Sequence, residues 1–260
     1  MSGSGKITTV KAGGISLEVE RRGAGRPLLL LTSEEQLELE SPFVASLAEK
    51  FEVIIPRAPG FGLSDRPEWM TNPDDISYVM LDVLALLGLK DVTVLGFSFG
   101  GWIAAEMASK NTSAIARLVL VDAYGVKIGG PFDRDIMDIW TSHPSKVTAA
   151  KWADPEKGKR DFSKMSDAEL TAVARANESF ARFCWDPYMH SPKLRHRLHR
   201  VDVPTLVIWG EKDGVVTAEY GAAYAKLIPG AKFATVPGAG HYPHLEAPDA
   251  FMSTLNSFIL

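Results

Sequence analysis

The sequence predicts an α/β fold: a mostly parallel eight-stranded sheet with helices on both faces and one helical lid insertion. Three observations carry that expectation. Continuously apolar runs such as Leu28 to Leu31 and Ile115 to Val121 read as strands covered on both faces. These runs alternate with helical stretches, the pattern of repeated strand-helix-strand units. The alternation stops after Asp122 and resumes at Val203, with helical stretches and no strong strand run between them. At 260 residues and 46% hydrophobic content, the chain can bury the core of one domain carrying an insertion. We place the core at residues 1–125 and 201–260 and the lid at 126–200.

Taken in order, Ile7 to Val10 and Ile15 to Glu20 flank Gly13-Gly14 and read as an antiparallel hairpin at a sheet edge. Leu28 to Leu31 follows as a buried strand, and Ser41-Pro42 then opens a helix through Phe43, Leu47 and Ala48. Phe51 to Pro56 is a strand running into the glycine-rich loop Pro59 to Asp65. Asn72 caps a helix whose Ile76, Val79, Met80, Val83, Leu84 and Leu87 recur at three- and four-residue spacing, and Gly88 ends it. Val92 to Leu95 is the central strand; Gly96-Phe97-Ser98-Phe99-Gly100 and a helix follow it at once, and Ile115 to Val121 is the next strand. Within the insertion, Ser166 to Glu178 and Lys193 to His199 read as helices. Val203 to Trp209 resumes the sheet, before a helix at Ala218 to Leu227, a strand at Lys232 to Val236 and a closing helix from Ala247 to Ile259.

Composition narrows the function. A formal net charge of −4 provides no basic surface, which argues against a nucleic-acid partner. No run approaches the roughly 18 apolar residues of a membrane span, and Met1 to Lys6 has no apolar core for a signal peptide, so no membrane partner is expected. The single cysteine, Cys184, rules out an intramolecular disulfide and a cysteine-rich metal site, and it reads as packed and inert. His143, His190, His196 and His199 show no spacing with carboxylates that would make a metal site. The expectation is a cytoplasmic monomer or homodimer with a small-molecule substrate, no cofactor and no metal. The basic run from Lys193 to Arg200 reads as a solvated helix face.

The chemistry converges on the central strand. A serine on a sharp strand-to-helix turn, with glycines two before and two after, has its hydroxyl lifted above the sheet edge, so Ser98 is the candidate nucleophile. Serine needs a base held in one tautomer. His241, in a glycine-rich loop beyond the last strand, is that candidate, with His244 as rival; Asp213, beyond the preceding strand, is the candidate acid, with Glu211 and Asp122 as alternatives. The order serine, acid, histidine is the one expected after such a turn.

From about Ile15 to the C-terminus the chain resembles the α/β-hydrolase fold superfamily, in Pro59-Gly-Phe-Gly-Leu-Ser-Asp65, Gly96-Phe-Ser-Phe-Gly-Gly101, Gly210-Glu-Lys-Asp213 and Gly238-Ala-Gly-His241. The resemblance implies a Ser98, Asp213, His241 triad beneath a lid. It looks most like small bacterial esterases and the carbon-carbon bond hydrolases that act on meta-cleavage products. The function expected is a serine hydrolase of small or medium, largely apolar esters; the alternatives are a carbon-carbon bond hydrolase and a low-turnover ligand sensor. Thr32-Ser33-Glu34 replaces the family's usual His-Gly, so the oxyanion hole is expected from the Phe99 amide with Glu34 or Ser33. Arg57 stands where the family commonly has an aspartate, and it reads as a solvated charge. The expected substrate pocket comprises Thr32, Tyr124, Trp140, Phe180, Phe183, Trp185 and Tyr242.

Overall fold

Strands that alternate their side chains between two faces need a helical layer on each, and the chain supplies both. The computed structural model describes residues 5–35 and 41–260. The strands are β1 (Lys6–Ala12), β2 (Ile15–Arg22), β3 (Arg26–Leu31), β4 (Phe51–Pro56), β5 (Val92–Phe97), β6 (Ile115–Val121), β7 (Gly125–Val126), β8 (His190–Ser191), β9 (Thr205–Gly210) and β10 (Lys232–Val236). Eight of them form one sheet in the order β1-β2-β4-β3-β5-β6-β9-β10. The pairs β1/β2 and β2/β4 are antiparallel, and every other neighbour in that sheet is parallel. β5 therefore lies at the centre, with its carboxyl end opening between β3 and β6.

The helices are α1 (Pro42–Ala48), α2 (Pro73–Leu86), α3 (Ser98–Lys110), α4 (Pro144–Lys151), α5 (Asp167–Cys184), α6 (Ala218–Ala225), α7 (Pro243–Glu246) and α8 (Pro248–Ile259). Leu28 and Leu30 of β3 pack with α1 and α8, whereas Leu29 and Leu31 face α2 and α3, so one strand feeds both cores. Local chemistry sets the helix starts. The Asn72 side chain accepts from the Asp75 amide at 3.1 Å, and Ser166 with Glu169 closes a reciprocal capping box on α5.

The inserted segment departs from the sequence reading in several ways. The helix expected at Lys193 to His199 is two 3₁₀ turns, Leu194–His196 and Leu198–Arg200, with Leu194 and Leu198 buried. The run keeps a solvated side at Lys193, His196, His199 and Arg200, but its arginines also tie it to the core: Arg197 pairs with Asp74 at 3.0 Å, Arg195 donates to the Lys127 carbonyl at 2.9 Å, and Arg200 to that of Ser109 at 2.9 Å. α5 runs beyond Glu178 to Cys184, which puts Phe180 and Phe183 on one helix face. α4 escaped notice because Pro144–Lys151 has no apolar stripe. β7 and β8, only two residues each, pair in parallel to close the insertion. Arg57 is also corrected. It is buried and ion-paired with Glu20 of β2, because β4 delivers it alongside β2, where its amide bonds the Glu18 carbonyl at 2.8 Å.

Cys184 is buried and free. Among the described residues no helix is long and apolar enough to cross a membrane.

Candidate active site

The turn at the end of β5 is tight enough to exclude side chains. A Cβ on Gly100 would lie 2.2 Å from the Leu31 carbonyl oxygen, and one on Gly96 would lie 2.5 Å from that of Gly100. Between them Ser98 takes φ 51°, left-handed backbone that a serine adopts only where its surroundings impose it. The hydroxyl is thereby fixed at the start of α3. Gly100→Ala is expected to destabilise the protein by about 1–3 kcal/mol through overpacking against backbone that cannot retreat, read as a lower urea midpoint.

Two later loops meet over this turn. A Cβ at Gly210, the last residue of β9, would sit 1.8 Å from the Gly240 carbonyl oxygen, so the loops carrying Asp213 and His241 are in backbone contact. Asp213 Oδ1 accepts from the amides of Val215 at 2.8 Å and Val216 at 3.1 Å, which aims Oδ2 at His241 Nδ1, 2.6 Å away. On its other side, His241 Nε2 lies 2.9 Å from Ser98 Oγ and 3.0 Å from the Tyr124 hydroxyl. All three expected residues are buried and joined in one hydrogen-bonded chain. An imidazole oriented by a carboxylate can take the proton of a serine it faces.

The alternatives stand elsewhere. His244 is packed among Phe43, Phe97 and Phe251, and burial, with the neighbouring His241 charge, lowers its pKa to about 3, so it is a neutral packing group. Glu211 accepts from the Gly238 amide at 2.9 Å. Asp122 Oδ1 accepts from the Gly210 amide at 2.8 Å, while burial and the Asp213 charge push its carboxyl well above the usual carboxylate range. Among the described residues, Asp122, Asp213 and His241 form the group whose ligand atoms lie within 4.8 Å of one another. Asp213 and His241 already spend those atoms on each other.

A cluster of charged side chains stands where the oxyanion donors are expected. Phe99 follows Ser98 in the first turn of α3, and Ser33 turns its hydroxyl to the Glu35 carbonyl at 2.7 Å. Glu34 is buried and its side chain is not turned away: Oε2 accepts from Ser98 Oγ at 3.0 Å, while Oε1 meets Lys151 Nζ at 2.9 Å and the Tyr242 hydroxyl at 3.5 Å. Lys151 also reaches Glu35 at 2.9 Å, and Arg160 closes on Glu35 at 2.6 Å. Lys151 is the residue that sequence reading missed. It ends a polar helix, where lysine ordinarily faces water, and its partner is 117 residues away. The available signal was Glu34-Glu35 beyond a buried strand, since carboxylates there require a cation.

Burial alone would raise both glutamates, but Lys151 outweighs it; Glu34 is lowered, and Glu35, with Arg160 added, falls to about 2. Carboxylates depressed on folding contribute stability above their unfolded pKa, near 4.3, and lose it as pH falls through the folded value. Urea midpoints are therefore expected to fall between about pH 4.5 and about pH 2, more shallowly in Glu35→Gln.

The aromatic expectations divide. Phe180 stands 5.6 Å from Phe99 and 6.3 Å from Tyr124 between ring centroids, Phe183 stacks on Phe99 at 6.2 Å, and Trp140 packs on Phe180 at 5.6 Å. Thr32 and Tyr242 are buried beside Glu34 and His241 respectively. Trp185 is corrected: it is exposed and lines an outer groove of about 480 Å³ with Phe132, Tyr188 and His190, to which neither Ser98 nor His241 contributes. The cause is its place just past the end of α5, two residues after Phe183 and so about 200° round the helix from that buried side chain.

This architecture and sequence have known counterparts. The model of the alpha/beta hydrolase family matches residues 33–254. The 2-hydroxymuconate semialdehyde hydrolase of Pseudomonas sp. (strain CF600) is 28% identical over 266 residues, covering 95% of this chain and 92% of its own. Lipase 1 of Psychrobacter immobilis is 25% identical over 257 residues, covering 90% and 77%. The solved esterase from Exiguobacterium antarcticum superposes with a TM-score of 0.77 at 23% identity, covering 96% of this chain and 98% of its own, a likeness of fold. The chain thus belongs to the alpha/beta hydrolase family.

Proposed function

We propose that the protein is a serine hydrolase that cleaves a small or medium, largely apolar ester through an acyl-enzyme. The observation that carries this reading is the buried chain from Asp213 through His241 to Ser98, with 2.6 Å and 2.9 Å links. Ser98 Oγ attacks the ester carbonyl while His241 Nε2 takes its proton, and Asp213 holds the imidazole tautomer and balances the imidazolium. The ester carbon-oxygen bond breaks as His241 returns that proton to the departing alkoxide. Water, deprotonated by His241 in turn, then releases the acid. The amides of Phe99 and Glu34 are the oxyanion donors in this account. Residues 126–200 act as the lid, and Phe180, Phe183, Trp140 and Tyr124 supply the apolar wall.

Labelling with a fluorophosphonate, followed by peptide mapping, tests the nucleophile. Modification at Ser98 together with turnover across an ester chain-length panel is expected; an unlabelled Ser98 in folded protein overturns the reading. The likeness to 2-hydroxymuconate semialdehyde hydrolase over 92% of that enzyme favours a second reading, cleavage of a carbon-carbon bond in a ring-fission dienoate. That reading requires the dienoate to be consumed far faster than any ester.

A further inference from the structure

Ser98 has one hydroxyl proton and faces two acceptors, His241 Nε2 at 2.9 Å and Glu34 Oε2 at 3.0 Å. During attack that proton must pass to His241. Glu34 Oε2 then loses its donor, while Oε1 stays clamped by Lys151 at 2.9 Å. A buried carboxylate stripped of a charge-assisted hydrogen bond is costly, so the site favours a substrate that replaces it. The atom that Ser98 Oγ bonds is the acyl carbon. Its carbonyl oxygen cannot serve Glu34, because it is an acceptor that gains negative charge. The substituent on the adjacent carbon is the next group within reach. Charge decides what kind of donor this is. Glu34 and Glu35 are already balanced by Lys151 and Arg160, so an added ammonium would leave excess buried charge, whereas a neutral hydroxyl would not.

We infer that Glu34 is a specificity-determining residue that selects acyl groups bearing a hydroxyl on the carbon next to the scissile carbonyl. This rests on the serine-hydrolase reading and narrows its substrate class to 2-hydroxy acid esters. Lys151 acts through Glu34 as its positioning residue.

The test compares kcat/KM of the wild-type protein for methyl 2-hydroxypropionate, methyl 2-methoxypropionate and methyl propionate by pH-stat titration. The methoxy ester keeps the electron withdrawal of the hydroxyl and lacks the proton. The hydroxy ester is expected to lead both others by about 10-fold or more, the range of one charge-assisted hydrogen bond. In Glu34→Gln that lead is expected to shrink by a similar factor, with fluorophosphonate labelling of Ser98 showing that the variant retains its site. Equal rates on the hydroxy and methoxy esters in a wild-type protein that labels at Ser98 would overturn the inference and leave the hydrolase reading standing. Absence of both labelling and ester turnover would overturn both.

Discussion

Ser98→Ala is expected to lower ester kcat by at least about 10⁴-fold, to the rate that binding and oxyanion donors alone sustain. The expectation follows from geometry. Ser98 Oγ is the atom that both His241 and Glu34 address, and left-handed backbone at the end of β5 presents it. Removing the hydroxyl leaves His241 bonded to Tyr124 at 3.0 Å, a phenol that is held by burial in its protonated form and is no nucleophile. The fold should persist at some cost in stability. Alanine fits the space of serine and no helix cap is lost, since the residue before Ser98 is the cap and makes no side-chain bond, but buried Glu34 loses the donor it has at 3.0 Å. Steady-state rates on p-nitrophenyl esters, with circular dichroism and urea unfolding of the same sample, check both halves. A variant retaining more than about a tenth of the rate would move the chemistry off Ser98 altogether.

That expectation was legible before any coordinates, and the reason is local. Gly96 and Gly100 are dictated by backbone approaches of 2.5 Å and 2.2 Å, and Ser98 by a single turn, so five adjacent residues encode the whole feature. The central parallel strands β3, β5, β6 and β9 were equally plain, since they are largely apolar runs buried between two helical layers. Asp213 and His241 needed only chain order, because each follows a strand whose neighbour in the sheet is fixed by topology. What stayed hidden depends on partners distant in sequence. Arg57 reads as a surface charge until β2 brings Glu20 beside it. Trp185 joins the aromatic cluster by sequence proximity, yet a helix turns Phe180 and Phe183 inward and leaves Trp185 outside. Lys151 was the furthest from view. Its helix, Pro144–Lys151, has no periodic signal, and the residues that require it lie at the far side of the molecule's chain order.

Lys151→Met is expected to cost about 3–5 kcal/mol, because breaking a buried ion pair from one side leaves the other charge uncompensated. The side chains of Lys151 and Glu34 are only 10% and 5% exposed, so solvent cannot take over the role of the ammonium. Two carboxylates lose their cation at once. Arg160 remains for Glu35, at 2.6 Å, but no other ion pair within the described residues reaches Glu34. Methionine fills the methylene volume, so packing loss is a minor part of the effect, and the backbone carbonyl of Lys151 still accepts from the His241 amide at 2.7 Å. The melting temperature should drop by on the order of 10 °C for a chain of this size. Adding Glu34→Gln separates charge from shape. If Lys151 serves to neutralise Glu34, the double variant recovers part of the lost stability, and a double-mutant cycle returns a coupling well above additivity error. Purely additive losses would mean that Lys151 holds the inserted segment by packing alone, and that the carboxylate beside Ser98 owes its placement to the β3 loop rather than to its cation.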